Sequence, residues 1–215
     1  MHDERIRVWR SRKLRDSKCS AKDLITRKII ESLKVGPDFK CILMPCLYGV
    51  ELDMFEEKGL GPEQMFAIER SLSIWKLIKK QGRVTVTPRP MKAHVAIDHI
   101  EAVSPGPFDF IYGDFLGPPD RTHSEFLRKI FALRMIKSGG TMLLTFGLTR
   151  THKFTKEFND MLQRLGKTSF VPTNHHVDIA LEATEHPGYK EIHLHPYESR
   201  SKATMLHYVA TEVRF

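Results

Sequence analysis

Three acidic residues stand just beyond short apolar runs in this chain: Glu51 after Phe39–Leu47, Glu69 after Met65–Ile68, and Asp114 after Phe108–Tyr112. A carboxylate so placed can accept hydrogen bonds from a ligand or take a proton from a nucleophile as a general base. Asp114 lies in Gly113-Asp114-Phe115-Leu116-Gly117-Pro118-Pro119, where it is read either as that base or as an ordinary turn and N-cap former. Glu69 is read either as a ligand-binding carboxylate or as the ion-pair partner of Arg70 or a nearby lysine. Ahead of Glu51 runs Met44-Pro45-Cys46-Leu47-Tyr48-Gly49, in which Gly49 permits a tight turn and a close backbone approach to a ligand.

Other chemistries are poorly served. No strand is followed by a G-x-G-x-x-G pyrophosphate turn, which argues against a nicotinamide enzyme, and no G-x-x-x-x-G-K-S/T phosphate loop is present. The eleven histidines include His175-His176 and His193-x-His195. Adjacent histidines point apart, and a pair two apart on a strand lacks a third ligand nearby, so solvent-facing or hydrogen-bonded histidines and no metal are expected. Cys19, Cys41 and Cys46 form neither a disulfide framework nor a C-x-x-C pair. With no signal-peptide core at the N-terminus, a reducing cytoplasm is the expected setting.

The elements that must carry these residues follow from hydrophobic spacing. Leu24, Ile25, Ile29, Ile30 and Leu33 recur at helical intervals, predicting a helix over Ser20–Leu33 with Ser20 as N-cap and Gly36-Pro37 as the stop. Phe39–Leu47 reads as a strand buried on both faces. Helix Val50–Lys58, strand Met65–Ile68, helix Ser71–Gln81, strand Val84–Thr87, helix Ala93–Val103 and strand Phe108–Tyr112 then alternate. A helix over Ser124–Ile136, closed by Gly139-Gly140, precedes strand Thr141–Phe146. A further helix is expected over Lys153–Leu165 and a loop over Lys167–Gly188, and Lys190–Tyr197 with Thr204–Val213 suits an antiparallel hairpin. The fold expected is α/β: a doubly wound, mostly parallel sheet flanked by helices, with a C-terminal antiparallel hairpin. Its ligand site would lie beyond the carboxyl ends of the strands.

This layout resembles the class I S-adenosylmethionine-dependent methyltransferases, with their Rossmann-like seven-stranded fold, over roughly residues 39–215. The likeness is carried by Phe66-Ala67-Ile68-Glu69 as a second strand ending in an acid, by Met135-Ile136-Lys137-Ser138-Gly139-Gly140-Thr141-Met142-Leu143-Leu144-Thr145, and by the terminal hairpin. The resemblance implies S-adenosyl-L-methionine as cofactor, held by Glu69 at its ribose hydroxyls, with Arg70 beside it and Pro45, Cys46, Tyr48, Gly49 and Glu51 forming the loop after the first strand. It also implies that Asp114 orients and deprotonates the acceptor. The family's glycine-rich loop is reduced here to Gly49. A methyltransferase-like fold without catalysis, acting as a nucleic-acid-binding or assembly module, is therefore the alternative reading.

Composition bounds the rest. The chain has 215 residues, 41% hydrophobic and 28% charged, enough for one sizeable core. Residues 1–37 are read as a basic arm and helix and residues 38–215 as the main domain. The longest apolar runs, Cys41–Leu47 and Thr141–Phe146, fall far short of the roughly 20 residues of a membrane span. Net charge is +8, and residues 1–40, with 12 Lys/Arg against 6 Asp/Glu, hold +6 of it. Such an arm either attracts RNA or DNA phosphates or is a solvated terminus; Trp9, among arginines, could stack on a base. Arg150, Lys153 and Lys156 extend the same charge, so a nucleic acid acceptor is expected.

Overall fold

The computed structural model describes residues 21–45, 50–115, 121–147, 191–198 and 204–211. The N-terminal arm with Trp9, the Ser20 cap, and the segment expected to hold helix Lys153–Leu165 and His175-His176 lie outside the described residues.

Seven strands make one sheet in the order β3-β2-β1-β4-β5-β7-β6. They are β1 (Cys41–Leu43), β2 (Met65–Ala67), β3 (Thr85–Val86), β4 (Phe108–Asp114), β5 (Ile136–Gly147), β6 (Glu191–Glu198) and β7 (Thr204–Thr211). The first five are parallel, and β7 runs antiparallel to both β5 and β6, so the doubly wound α/β fold with its C-terminal hairpin is as expected. Helices α1 (Ala21–Ser32), α2 (Val50–Glu57), α3 (Leu72–Gln81), α4 (Ala93–Val103) and α5 (Arg121–Ala132) connect or cover the strands, with a 3-10 turn at Pro62–Gln64.

Both sheet faces are buried, which is why the strands read as continuous apolar runs. Ile42, Ile111, Met142 and Leu144 pack with Ile97 and Ile100 of α4 and Phe126, Leu127 and Ile130 of α5. Cys41, Leu43, Tyr112 and Leu143 face the other way, toward Ile30 of α1, Leu52 and Phe55 of α2 and Ile78 of α3. The chain thus winds β1 to β3 outward on one face and returns through α4 to β4 on the other, so the strand order reverses between β1 and β4.

Three elements differ from expectation by three residues or more. β1 is shorter than Phe39–Leu47: the Lys40 N–H donates to the side-chain Oδ2 of Asp109 on β4 at 3.0 Å rather than to a main-chain oxygen of that strand, and Pro45 has no N–H to extend the ladder. The helix expected over Ser124–Ile136 occupies Arg121–Ala132 and closes in a Schellman turn, with Arg134 N–H donating to Phe131 O and Met135 N–H to Ile130 O. Arg134 takes the left-handed position at φ 50°. Gly139-Gly140 therefore does not stop that helix. It lies within β5, where Phe108 pairs Ile136 but Phe110 pairs Thr141, and Gly139 at φ 86° lets the extra residues bulge.

Candidate functional site

Parallel pairing brings the carboxyl ends of β1, β2, β4 and β5 to one edge. In register, Ala67, Leu43, Tyr112 and Leu143 form one row across these four strands. The ladder continues one step, with Ile68 N–H donating to Leu43 O at 2.8 Å and Met44 N–H to Tyr112 O at 3.0 Å. Two residues beyond the row, in the same order, come Glu69, Pro45, Asp114 and Thr145. Neighbouring strands lie about 4.8 Å apart, so the carboxyl ends of β2 and β4, from which Glu69 and Asp114 emerge, stand about 10 Å apart across the β1–β4 reversal.

Glu69 is half-buried and oriented by its own turn. Its Oε1 accepts the Ser71 N–H at 2.6 Å, and its main-chain oxygen accepts the Met91 N–H at 3.0 Å. Oε2 takes no hydrogen bond, and no ion pair joins Glu69 to Arg70 or a lysine among the described residues. Arg70 is exposed. The Met91 bond ties the end of β2 to the loop after β3, which is fixed again by Trp75 Nε1–H donating to Thr87 O at 2.9 Å and by Thr87 Oγ1–H donating to Arg89 O at 2.8 Å. Trp75 is half-buried and fastens α3 to this loop.

Pro45 is buried at the end of β1. Cys46, Tyr48 and Gly49 lie outside the described residues. Glu51 emerges in the first turn of α2, where the helix dipole favours a negative charge, and is only 2% exposed.

At the end of β4, Asp114 is half-buried and pairs in register with Thr145 of β5. Gly113 before it cannot be replaced by a larger residue without movement: a Cβ there would meet the Phe115 ring at 2.8 Å and Leu144 Cδ2 at 2.9 Å. Phe115 N–H donates to Thr145 O at 2.9 Å, and its ring meets Phe126 edge-on at 5.5 Å and His123 at 4.3 Å between centroids. The carboxyl end of β4 is thereby pinned to β5 and to α5.

Thr145 is the residue that reading the sequence missed. It is fully buried, and its Oγ1 has no hydrogen-bond partner among the described residues. The one signal was a lone hydroxyl near the end of an apolar strand. Cys41, the free cysteine among the described residues, sits in the core, where burial and then the charge of Asp109 push its thiol well above the usual range, so it is no nucleophile. No group of three or more His, Cys, Asp or Glu among the described residues could hold a metal ion. His193 and His195 lie on β6 in register with Val209 and His207.

No protein-family model matches the chain, and no curated protein matches it in sequence. Solved structures do match. Phosphoethanolamine N-methyltransferase 2 of Haemonchus contortus, in its complex with S-adenosyl-L-methionine, superposes with a TM-score of 0.51 and 13% identity over 89% of this chain. This chain spans 52% of that protein, about half its length. A SAM-dependent methyltransferase from Archaeoglobus fulgidus gives 0.53 and 12% identity, over 88% of this chain and 92% of that one. The (4+2)-cyclase SpnF gives 0.54 and 13% identity, over 92% and 85%. At such identities the likeness is one of fold.

Proposed function

With the fold of the class I S-adenosylmethionine-dependent methyltransferases in place, we propose that this chain transfers a methyl group from S-adenosyl-L-methionine to an acceptor on RNA or DNA. The observation that carries this reading is the row Glu69, Pro45, Asp114, Thr145 along the carboxyl edge, with the two carboxylates on either side of the strand-order reversal. Glu69 fits a sugar diol: Ser71 fixes one carboxylate oxygen and leaves Oε2 to accept hydroxyl hydrogen bonds. Pro45, Cys46, Tyr48, Gly49 and Glu51 would line the approach from the β1 side, with Arg70 at its rim. Bound there, S-adenosyl-L-methionine supplies a methyl carbon made electrophilic by its sulfonium.

The chain's own part is positioning and proton transfer. Asp114 accepts the hydrogen bond of the acceptor N–H or O–H, aims the lone pair, and takes the proton as the new bond to carbon forms. Phe115 and Gly113, locked by their contacts, keep that carboxylate from swinging away. The nucleic acid part of the reading rests on the basic N-terminal arm, and the free, buried Cys41 suits a reducing cytoplasm. No described helix is long and apolar enough to cross a membrane.

A second reading keeps the fold and drops the chemistry: a nucleic-acid-binding or assembly module. The single glycine, Gly49, in the loop after β1 favours it. The cyclase name of one structural neighbour adds that this fold hosts other activities. Calorimetric titration with S-adenosyl-L-methionine and its demethylated product separates the two readings. Micromolar binding, weakened roughly 10- to 100-fold in Glu69→Ala by loss of a charged hydrogen bond, is the expected result. A folded protein that binds neither ligand would leave the module as the better account.

A further inference from the structure

The excess charge is not confined to the N-terminal arm. Between Glu69 and Asp98 lie 28 residues without one acid, and they carry seven cations. Arg83 is engaged, its Nε donating to Glu56 Oε1 at 2.7 Å and its Nη2 to Asp53 Oδ1 at 2.6 Å. The other six, Arg70, Lys76, Lys79, Lys80, Arg89 and Lys92, are exposed and make no ion pair among the described residues.

Folding gathers them around one margin. Helical spacing puts Lys76, Lys79 and Lys80 in a sector of about 100° opposite the buried Ile78 of α3. Arg89 lies in the loop beyond β3, the edge strand, and Lys92 is the N-cap of α4 on the opposite face. The cations thus wrap the β3 edge from one face of the sheet to the other.

A solvated helix surface accounts for part of this. Lys79 and Lys80 complement the dipole at the C-terminus of α3, and the Lys79 ammonium sits 4.7 Å from the Trp75 ring centroid. It does not account for Arg70 and Lys92, which stand at the positive ends of α3 and α4, where the helix dipole disfavours a cation. Lys76 and Lys80 also repel each other at i, i+4. A row of phosphates would relieve these repulsions together. A lipid surface would ask for apolar side chains among the cations, yet Leu72 is the one large exposed apolar residue on α3.

We propose that this basic strip around the β3 edge docks the phosphate backbone of nucleic acid, independently of the N-terminal arm. The inference rests on the nucleic acid reading of the acceptor and not on methyl transfer. The test is fluorescence anisotropy of the full chain with a short labelled single-stranded RNA and a DNA duplex of equal length, across a potassium chloride series. The variant is Lys76→Gln/Lys80→Gln/Arg89→Gln/Lys92→Gln, which spares Arg70 beside the cofactor site and Lys79 on Trp75. Its affinity should fall at least about tenfold at low salt, with the slope of log K against log salt shallower by about 2 to 3.

Arginine in place of Lys76, Lys80 and Lys92 should restore the wild-type slope, separating charge from damage to the fold. Titration of the fourfold variant with S-adenosyl-L-methionine should match wild type, so failure of the cofactor reading would show separately. A fourfold variant that keeps the wild-type affinity and slope would overturn the proposal. So would a wild-type chain that binds phosphatidylserine vesicles and neither nucleic acid.

Discussion

The face of the sheet beneath α4 and α5 and the face beneath α1, α2 and α3 bury different chemistry. Under α4 and α5 the buried side chains run from Ile42 and Phe66 through Phe108 and Ile111 to Phe126 and Phe131, and a polar exception is the partly buried His94 of α4, whose Nε2 lies 3.8 Å from Glu125 Oε2 of α5. On the other side the apolar cluster is joined by Tyr112, and Thr145 projects from the same side of β5 as Leu143. The helices on that side bury Thr26 of α1, one turn before Ile30, and Glu51 of α2. Asp114 shares that face, two residues after Tyr112. A dry face can be optimised for packing alone, whereas polar groups cost stability unless something meets their hydrogen bonds. On the function proposed above, the α4–α5 face gives support and the other face meets the ligand.

The sharpest way to break this comparison is to hollow the dry face. Phe126 is fully buried on α5, and Phe115, next to Asp114, packs against its ring. Phe126→Ala should lower the unfolding free energy by about 3–5 kcal/mol, read from urea denaturation. A loss under about 1 kcal/mol would mean that α5 is a loose cover and the division false.

On the polar face the expected sign reverses. The Thr145 hydroxyl is buried without a hydrogen bond among the described residues, so Thr145→Val, nearly the same shape, should raise stability by about 1–2 kcal/mol. Methyl transfer or S-adenosyl-L-methionine binding should weaken in the same variant if the hydroxyl serves the site. Lower stability with unchanged binding would instead make Thr145 a structural residue.

What could be read beforehand divides along physical lines. Helix α4 was legible to its ends, because Val95, Ile97 and Ile100 recur at a helical period and no glycine interrupts them. Glu69 and Asp114 were legible because a charge that ends a buried strand must leave the sheet at its edge. Thr145 was not, since the register that sets it beside Asp114 depends on the bulge in β5, a pairing irregularity with no local signature. The basic strip was hidden for a related reason: its cations are spread over 28 residues and meet only where the chain rounds β3. Gly139 misled because left-handed backbone serves helix stops and strand bulges alike.

The helix ends of the two faces sharpen the contrast further. On the polar face α2 closes in a Schellman turn through Gly59 at φ 88°, with Gly59 N–H donating to Glu56 O and Leu60 N–H to Phe55 O. On the dry face α5 closes the same way through Arg134 at φ 50°, where a side chain costs about 1 kcal/mol. Arg134→Gly should therefore raise stability by about 0.5–1 kcal/mol in thermal or urea unfolding, while Gly59→Ala should lower it by a similar amount. Equal and opposite shifts would show that the turns are equivalent and differ in residue alone.

The smallest effect concerns the ion pairs at the rim of each face. Arg83, in the connection that leads into β3, joins it to α2 through Asp53 and Glu56, whereas Lys129 of α5 meets Asp98 of α4. The Arg83 contacts, first the hydrogen bond and then the charge, hold the Glu56 carboxyl below its ordinary value of 4.5. A lowered carboxyl in the fold means that protonation favours unfolding. The contribution is therefore complete above about pH 4.5 and disappears as pH falls through the folded value. Arg83→Met should cost about 0.5–1 kcal/mol at neutral pH, since these groups are partly exposed, and the gap to wild type should narrow below pH 4.5. Lys129→Met, removing one exposed pair with more freedom of both chains, should cost less at neutral pH, about 0–0.5 kcal/mol. Thermal melts of the three proteins at neutral pH and near pH 3 read both differences. An Arg83 gap that persists unchanged in acid would mean that its aliphatic stem packs α2 against β3, and that charge contributes nothing to that rim.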